Sequence, residues 1–326
     1  MVQFLVEPVV AGGAAAAAPV GDPSMGKRSI NRGAHSAFQM LALSGCTISE
    51  VTIRNMLDVM LEISTVQSEA SPISSNKDAG SFINVIVDAT LPDNIPAQGV
   101  FVHLTAKGIE GTGGHDHDGN RPAGSFIVAN GTTASNGRYA TLYRASAFAG
   151  VERLFVESPH ALNKDSVDLL VRYQGLVLLG TNTLYEKIGG TTKHTGPPSS
   201  TIDNNHWGKP QAINWLGNIA AKYWLQLKPT NVIKYNDISL PQGGGFDIDG
   251  GWKDDIRSLG AGHVLHRTGT AVDIRTSPPN SDGVPINRRV DFEKLVQRYN
   301  SKAAVQIHKS KTDSTKKHFH VDFDLN

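Results

Sequence analysis

Residues 82–87 read Phe-Ile-Asn-Val-Ile-Val, and the β-branched residues Ile83, Val85 and Val87 recur at every second position. Successive side chains along a strand point to opposite faces, so these three residues would line the same face. The stretch therefore predicts a β-strand with one buried face, at the start of a region rich in such patterns.

Further short runs of this kind follow, separated by Gly, Pro, Asn and Asp. They cover residues 100–104, 139–143, 154–156 and 167–171. Short strands at regular spacing predict an all-β, immunoglobulin-like sandwich over residues 75–176. The turn at Asn136 and Gly137, with the residues around it, resembles bacterial immunoglobulin-like repeats of adhesins and cell-wall proteins.

The segment before this region has a different composition. Residues 1–46 contain an Ala/Gly tract and a basic stretch, which predict a disordered or targeting segment. Residues 43–46 resemble a bacterial lipoprotein processing site, which would make Cys46 a lipidated N-terminus. Residues 47–74 are predicted to form a helix and a linker, because apolar residues recur at one-face helical spacing over 47–66.

Residues 177–326 alternate between helical and strand-like patterns. Helices are predicted at 207–227, capped by Asn205, and at 291–299; strands are predicted at 232–239, 270–276, 303–308 and 318–323. This pattern predicts an α+β domain with a small antiparallel sheet. The chain is therefore expected to be multidomain, with the β-sandwich first.

Composition narrows the function classes. The 326 residues carry 31 basic and 30 acidic side chains, a net charge of +1, so no chain-wide attraction to nucleic acid or to an anionic membrane is expected. No apolar run reaches the ~20 residues of a membrane span. Cys46 is the only cysteine, so an intrachain disulfide cannot form.

Two histidines at strand spacing define the candidate site. Residues 318–322 read His-Phe-His-Val-Asp, and in a strand His318 and His320 would point into the same cleft. Upstream, His266 precedes Asp273 with a glycine between them that lets the chain turn. His266, Asp273 and one histidine of the pair would form an open zinc site. The alternative for the pair alone is two histidines on a surface strand.

Three motifs occur in order around these residues: D-I-S-x-P-x-G-G at 237–244, G-H-x-x-H-x-x-G-x-x-x-D-I at 262–274 and H-F-H-V at 318–321. The series, within residues 200–326, resembles the penicillin-insensitive murein endopeptidases, zinc peptidases grouped with D-Ala-D-Ala metallopeptidases and lysostaphin-type enzymes. The resemblance implies that His266, Asp273 and His320 bind Zn²⁺. It also implies that His318 is catalytic and sits beside the water that the metal activates.

Other residues of the region could contact substrate or hold the ligands in place. They are His263, which matches a further histidine of the endopeptidases, and Asp237, Ser239 and His206. Leu265 departs from the family, which commonly has serine directly before the metal histidine. The glycines at 243–245 predict a flexible rim of the cleft.

A further histidine pair lies in the β-rich region, where residues 113–122 read GGHDHDGNRP. His115 and His117 offer nitrogen donors flanked by carboxylates. This stretch is either a second metal-binding loop or a polar loop between strands.

The resemblance implies hydrolysis of peptide bonds in the stem or cross-link of bacterial peptidoglycan, with a peptidoglycan peptide as the partner. Such a substrate implies a location in the cell envelope or outside the cell. Two alternatives remain. One is a non-catalytic module that binds the cell wall, and the other is an adhesin-like surface protein that acts through its β-sandwich.

Overall fold

The computed structural model describes residues 58–72, 81–114, 120–189, 205–227, 229–245, 252, 265–277, 282–309 and 317–325. Within these ranges the chain forms a two-layer β-sandwich, followed by a mixed β-sheet that carries two helices. The predicted N-terminal segment, with Cys46, lies outside the described residues.

Within the described ranges the sandwich has ten strands in two sheets. In chain order they are β1 (Met60–Thr65), β2 (Glu69–Ala70), β3 (Phe82–Leu91), β4 (Ile95–Pro96), β5 (Phe101–Gly108), β6 (Ser125–Phe126), β7 (Asn130–Thr132), β8 (Arg138–Arg144), β9 (Gly150–Glu157) and β10 (Asp165–Val171). One sheet has the order β1-β3-β8-β6 with β4 beside β3, and the other has the order β2-β10-β9-β5-β7. These strands pair antiparallel, except β10 with β2.

The core between the two sheets follows the predicted period of two. Ile83, Val85 and Val87 of β3 are at most 1% exposed, and they share one core with Leu154 and Val156 of β9. Burial of each such side chain contributes about 2 kcal/mol to stability. Every strand predicted in this region forms, so the prediction of a β-sandwich is confirmed.

The predicted helix over residues 47–66 is wrong where the structure describes it. Met60–Thr65 form strand β1, which pairs antiparallel with β3. Leu61 and Ile63 are buried on one face of this strand, so a period of two prevails over the helical spacing. Pairing with β3 supplies hydrogen bonds and a core that an isolated helix of this length lacks. Strand β2, within the predicted linker, also joins the sandwich.

The remaining elements belong to the C-terminal part of the chain. They are β11 (Val177–Leu178), β12 (Tyr185–Lys187), β13 (Trp207–Gly208), α1 (Pro210–Leu227), β14 (Ile233–Tyr235), β15 (Ala271–Ser277), β16 (Val284–Pro285), α2 (Arg289–Val296), β17 (Ala304–Lys309) and β18 (Lys317–Asp322). The main sheet has the order β12-β14-β15-β18-β17, with β16 beside β15. β12 pairs with β14 in parallel, as β15 does with β16, so the predicted antiparallel sheet is instead mixed.

Both helices pack against the same face of this sheet. Leu216 of α1 and Phe292 of α2 share one core with Val272 and Ile274 of β15. Helix α1 begins at Pro210, where a missing backbone N–H costs no hydrogen bond, so the predicted cap at Asn205 is wrong. None of the described helices is both long and apolar enough to cross a membrane.

Backbone hydrogen bonds join the sandwich to the C-terminal part. Phe148 forms an antiparallel bridge with Gly244, and the N–H of Gly245 donates to the carbonyl of Ala147 at 2.6 Å. The N–H of Gly244 donates to the carbonyl of Arg267 at 3.1 Å. The N–H groups of Gly244 and Gly245 therefore pair with both parts, and the flexibility of this rim stays a prediction.

Candidate metal centre

The candidate ligands lie on the sheet face that points away from the helices. Strand β15 pairs with β18 so that Asp273 is opposite His320 and Arg275 is opposite His318. Residues opposite each other in adjacent strands point to the same side, so these four side chains share one face. The residues that alternate with them are buried in the helix-covered core, which determines the register.

His266 reaches the same place from the turn before β15. Leu265–Thr268 form a short 3-10 helix, and Gly269 follows with φ of +72°. A Cβ on Gly269 would lie 2.8 Å from a backbone atom of β13, so only glycine fits this position. Nδ1 of His266 lies 2.9 Å from the carbonyl oxygen of Ile238. Because that oxygen only accepts, Nδ1 carries the proton, and Nε2 faces Asp273.

Asp273 lies at the centre of the cluster. Its Oδ1 is 2.8 Å from Nδ1 of His320 and 3.4 Å from Nε2 of His266, and its Oδ2 is 3.3 Å from Nε2 of His318. One ligand atom from each of His266, Asp273 and His320 lies within 4.8 Å of the other two. These three side chains are buried, whereas that of His318 is 30% exposed. His318 therefore lies where the cluster meets solvent.

Electrostatics keep Asp273 ionised despite its burial. Burial alone would raise the pKa of Asp273, but the charges of His266 and His318 and hydrogen bonds from His266 and His320 bring it well below its ordinary value. Burial would also lower the pKa of His266, yet Asp273, Asp237 and the Ile238 carbonyl produce a net rise. The carboxylates of Asp273 and Asp237 thus stabilise the protonated form of His266, and a bound cation would take the place of that proton.

The donor set fits a zinc ion. Two imidazoles and one carboxylate are a combination found in catalytic zinc sites, and they leave a further coordination position. Nε2 of His320 is buried and has no hydrogen-bond partner among the residues that the structure describes. Buried polar atoms are nearly always paired, and a bound ion is one partner that would pair this nitrogen.

Asp237 acts on the cluster through its charge and its backbone. Its carboxylate accepts a hydrogen bond from Nδ2 of Asn205 at 2.7 Å and another from Nδ2 of Asn236 at 2.9 Å. Its carbonyl oxygen accepts the N–H of Asp273 at 2.9 Å. Two amides therefore fix a second buried carboxylate beside the predicted ligands, and its charge helps to raise the pKa of His266.

Ser239 and His206 are both fully buried and form a parallel bridge with each other. Nε2 of His206 lies 3.2 Å from the carbonyl oxygen of Tyr235. Oγ of Ser239 has no hydrogen-bond partner within the described ranges. Both residues lie next to Ile238, whose carbonyl holds His266, so the structure gives them a supporting position. Contact with substrate stays a prediction for both.

The structure adds a residue that sequence reasoning missed. His308 on β17 lies opposite His318, and its ring is parallel to that of His320, with centroids 4.6 Å apart and planes at 7°. Its only signal in the sequence is its place at the end of a predicted strand. Its position beside the histidine pair depends on the register between β17 and β18, which no local pattern indicates.

Three of the predicted histidines lie outside the described residues. His263 precedes the turn that carries His266, and His115 and His117 belong to the possible second metal loop. Their roles stay predictions.

Comparison with known proteins gives structural likenesses alone. No protein-family model and no curated protein matches this chain. The adhesin InvE of Yersinia pseudotuberculosis is similar at 12% identity and a TM-score of 0.30, over 36% of this chain and 33% of that one. The D00-D0 domain of intimin is similar at 11% identity and a TM-score of 0.26, over 36% of this chain and 48% of that one. The Escherichia coli adhesin FdeC is similar at 12% identity and a TM-score of 0.23, over 40% of this chain and 37% of that one. The chain thus spans about a third to a half of these chains.

Proposed function

We propose that this protein is a zinc-dependent peptidase that hydrolyses peptide bonds of bacterial peptidoglycan. The observation that carries the proposal is the buried cluster of His266, Asp273 and His320, with His318 at its solvent edge. The resemblance of the sequence motifs to those of murein endopeptidases supports the same reaction, because each residue of the cluster occupies its position in the motif.

His266, Asp273 and His320 would hold the ion. When bound there, zinc supplies the Lewis acidity that polarises a peptide carbonyl and makes a water molecule more acidic. The chain contributes a fixed arrangement of donors. The Ile238 carbonyl selects the tautomer of His266, and strand pairing keeps His320 opposite Asp273.

His318 is the residue best placed to transfer a proton. Its Nε2 is 3.3 Å from Oδ2 of Asp273, and its side chain is partly open to solvent. An imidazole in this position, once neutral, can accept a proton from the attacking water and then donate it to the leaving amine. The water oxygen forms a bond to the peptide carbonyl carbon, the C–N bond breaks, and the amine leaves with the proton.

The substrate and the location follow from the resemblance in sequence. Peptidoglycan lies outside the cytoplasm, so the proposed site of action is the cell envelope or the medium. The sandwich precedes the metal centre and contacts it through the segment at 244–245. In this proposal the sandwich positions the metal centre on insoluble peptidoglycan. The peptide bond that is hydrolysed lies in a stem peptide or in a cross-link.

A second candidate function is that of a surface protein which binds a cell wall or another partner without cleaving it. The observation that favours it is the ten-stranded sandwich that the described residues form. In that case the metal cluster would hold a structural ion or recognise a wall peptide. The two functions differ in the products that they leave.

Digestion of purified peptidoglycan by the zinc-loaded, full-length protein separates these functions. A peptidase releases soluble fragments with new amino groups, and His266→Ala and Asp273→Ala abolish that release. His160→Ala is the matched control, because His160 is exposed on the sandwich and should have no effect. Pelleting of the protein with the wall, without new amino groups, would support a binding module. Neither release nor pelleting would point to an adhesin with another partner.

A further inference from the structure

We infer that His308 is a positioning residue of the metal centre, whose ring holds the imidazoles of His318 and His320 in the orientation that the reaction requires. This inference rests on the proposed function, because these imidazoles are the proposed proton carrier and one of the proposed ligands. His308 itself belongs to none of the motifs that resemble the endopeptidases.

The geometry places His308 against both rings at once. Its ring is parallel to that of His320 at 4.6 Å between centroids, and it meets the ring of His318 edge-on at 5.5 Å and 77°. Offset-stacked and edge-to-face pairs at these distances are the favoured arrangements of flat rings. One side chain on β17 thus packs against both members of the H-x-H pair on β18.

The neighbouring residues keep the ring of His308 in place. Gln306 lies two positions earlier on the same strand face, opposite His320, and its Oε1 is 3.3 Å from Nε2 of His308. In strands two χ1 rotamers are common, so an imidazole without a packed neighbour can swing between them. Such a swing would carry Nε2 of His318 away from Asp273. The ring of His308 occupies the β17 side of both imidazoles and removes that freedom.

Two substitutions separate the effect of the ring from that of its nitrogens. His308→Ala removes the flat surface, and kcat should fall about 10- to 100-fold while the metal stays bound, as for other residues that orient metal ligands. His308→Phe keeps a flat ring without nitrogens and should restore most of the activity. Ile307→Ala is the matched control, because Ile307 precedes His308 on the same strand, points to the other face and is 42% exposed.

The test combines the visible absorption spectrum of Co²⁺ bound to the full-length protein with kcat for peptidoglycan digestion. We expect His308→Ala to bind Co²⁺ with altered d–d bands and to show a reduced kcat with little change in KM. His308→Phe and Ile307→Ala should match the wild type.

A wild-type spectrum and kcat for His308→Ala would overturn the inference. So would loss of all metal, which would make His308 a ligand, or equal failure of His308→Phe, which would assign the role to a nitrogen. A wild-type protein that binds no Co²⁺ would refute the metal centre itself. A protein that binds Co²⁺ but cleaves nothing would refute only the peptidase proposal.

Discussion

Two buried carboxylates, Glu152 in the sandwich and Asp273 in the C-terminal part, have different kinds of hydrogen-bond partner. In the sandwich, Glu152 accepts hydrogen bonds from the hydroxyl of Tyr143 at 2.5 Å and from the N–H groups of Gly124 and Ser146 at 3.1 Å. In the C-terminal part, Asp273 faces the imidazoles of three histidines. Both carboxylates are less than 5% exposed.

The difference between their partners indicates what each carboxylate does. The donors around Glu152 keep their protons at neutral pH: burial, and then the charge of Glu152, raises the pKa of Tyr143 well above its ordinary value. The donors around Asp273 are imidazoles, and an imidazole nitrogen that carries no proton can bind a cation. The first arrangement is part of a core, and the second is the one in which we propose that a metal ion binds.

The largest expected effect comes from removing the exchangeable carboxylate. Asp273→Ala should reduce bound zinc to background and abolish hydrolysis, because a site with three protein ligands does not tolerate the loss of one. Without metal, Asp273→Ala should lower the free energy of unfolding by less than Glu152→Ala does. Elemental analysis, together with denaturant unfolding in the presence of a chelator, checks both statements. Full zinc content in Asp273→Ala would contradict the ligand assignment.

Removing the structural carboxylate should have the converse effect. Glu152→Ala leaves a buried hydroxyl and two buried N–H groups without an acceptor, so it should cost about 3 kcal/mol of unfolding free energy while zinc content stays normal. Tyr143→Phe removes a hydroxyl that hydrogen-bonds to Glu152 and to the backbone of Gly124, and it should cost about 1 kcal/mol. Urea unfolding measures both costs. A Glu152→Ala protein that folds normally but lacks zinc would show that the two carboxylates do not play separate roles.

A substitution at the contact between the sandwich and the C-terminal part should have an effect of intermediate size. Gly244 has φ of +80°, and a Cβ there would lie 2.7 Å from the backbone nitrogen of Ala149. Gly244→Ala should therefore cost about 2 kcal/mol, and it should weaken zinc binding because Gly244 donates to the carbonyl next to His266. Gly175→Ala is the matched control, since Gly175 has φ of +72° with nothing within 4 Å of its Cβ position. Equal losses in both variants would show that only backbone strain matters there.

The smallest expected effect is a dependence of zinc stabilisation on pH. The raised pKa of His266 means that its protonated form stabilises the metal-free protein below its unfolded-state pKa, and this contribution is lost as pH rises through the folded-state pKa. Zinc binds only the neutral imidazole, so the zinc-bound protein becomes more stable relative to the metal-free protein as pH rises over the same range. The pKa of Asp273 lies well below this range, and Asp273 stays ionised throughout. The rise in Tm on adding zinc should therefore be larger at about pH 8 than at about pH 6. A rise that shrinks with increasing pH would contradict this assignment.

The sandwich and the candidate ligands differ in how far the sequence predicts them. Alternation over residues 82–87 predicts strand β3 because one buried face imposes a period of two. The motifs likewise predict that His266, Asp273 and His320 come together, and the described structure brings them within 4.8 Å of one another. The sequence predicts a helix where strand β1 forms, because a short apolar pattern fits the helical period as well as the strand period. Only pairing with β3, which supplies the hydrogen bonds of a strand, distinguishes them.

Long-range pairing accounts for what the sequence does not predict. His308 joins the centre only through the register of β17 with β18, and the mixed sheet follows from parallel pairs such as β12 with β14. The glycines at 244 and 245 resemble a flexible loop in sequence, yet they donate hydrogen bonds to the connection between β8 and β9 and to the 3-10 helix that carries His266. Local patterns carry no information about partners that are distant in sequence.

The most direct test of the central claim is anomalous diffraction at the zinc absorption edge from crystals of the full-length protein grown with zinc. The account predicts an anomalous peak enclosed by His266, Asp273 and His320, with His318 beside it and not bonded to the metal. Absence of a peak there, with Asp273 still hydrogen-bonded to the histidines, would contradict the claim that this cluster is a metal centre.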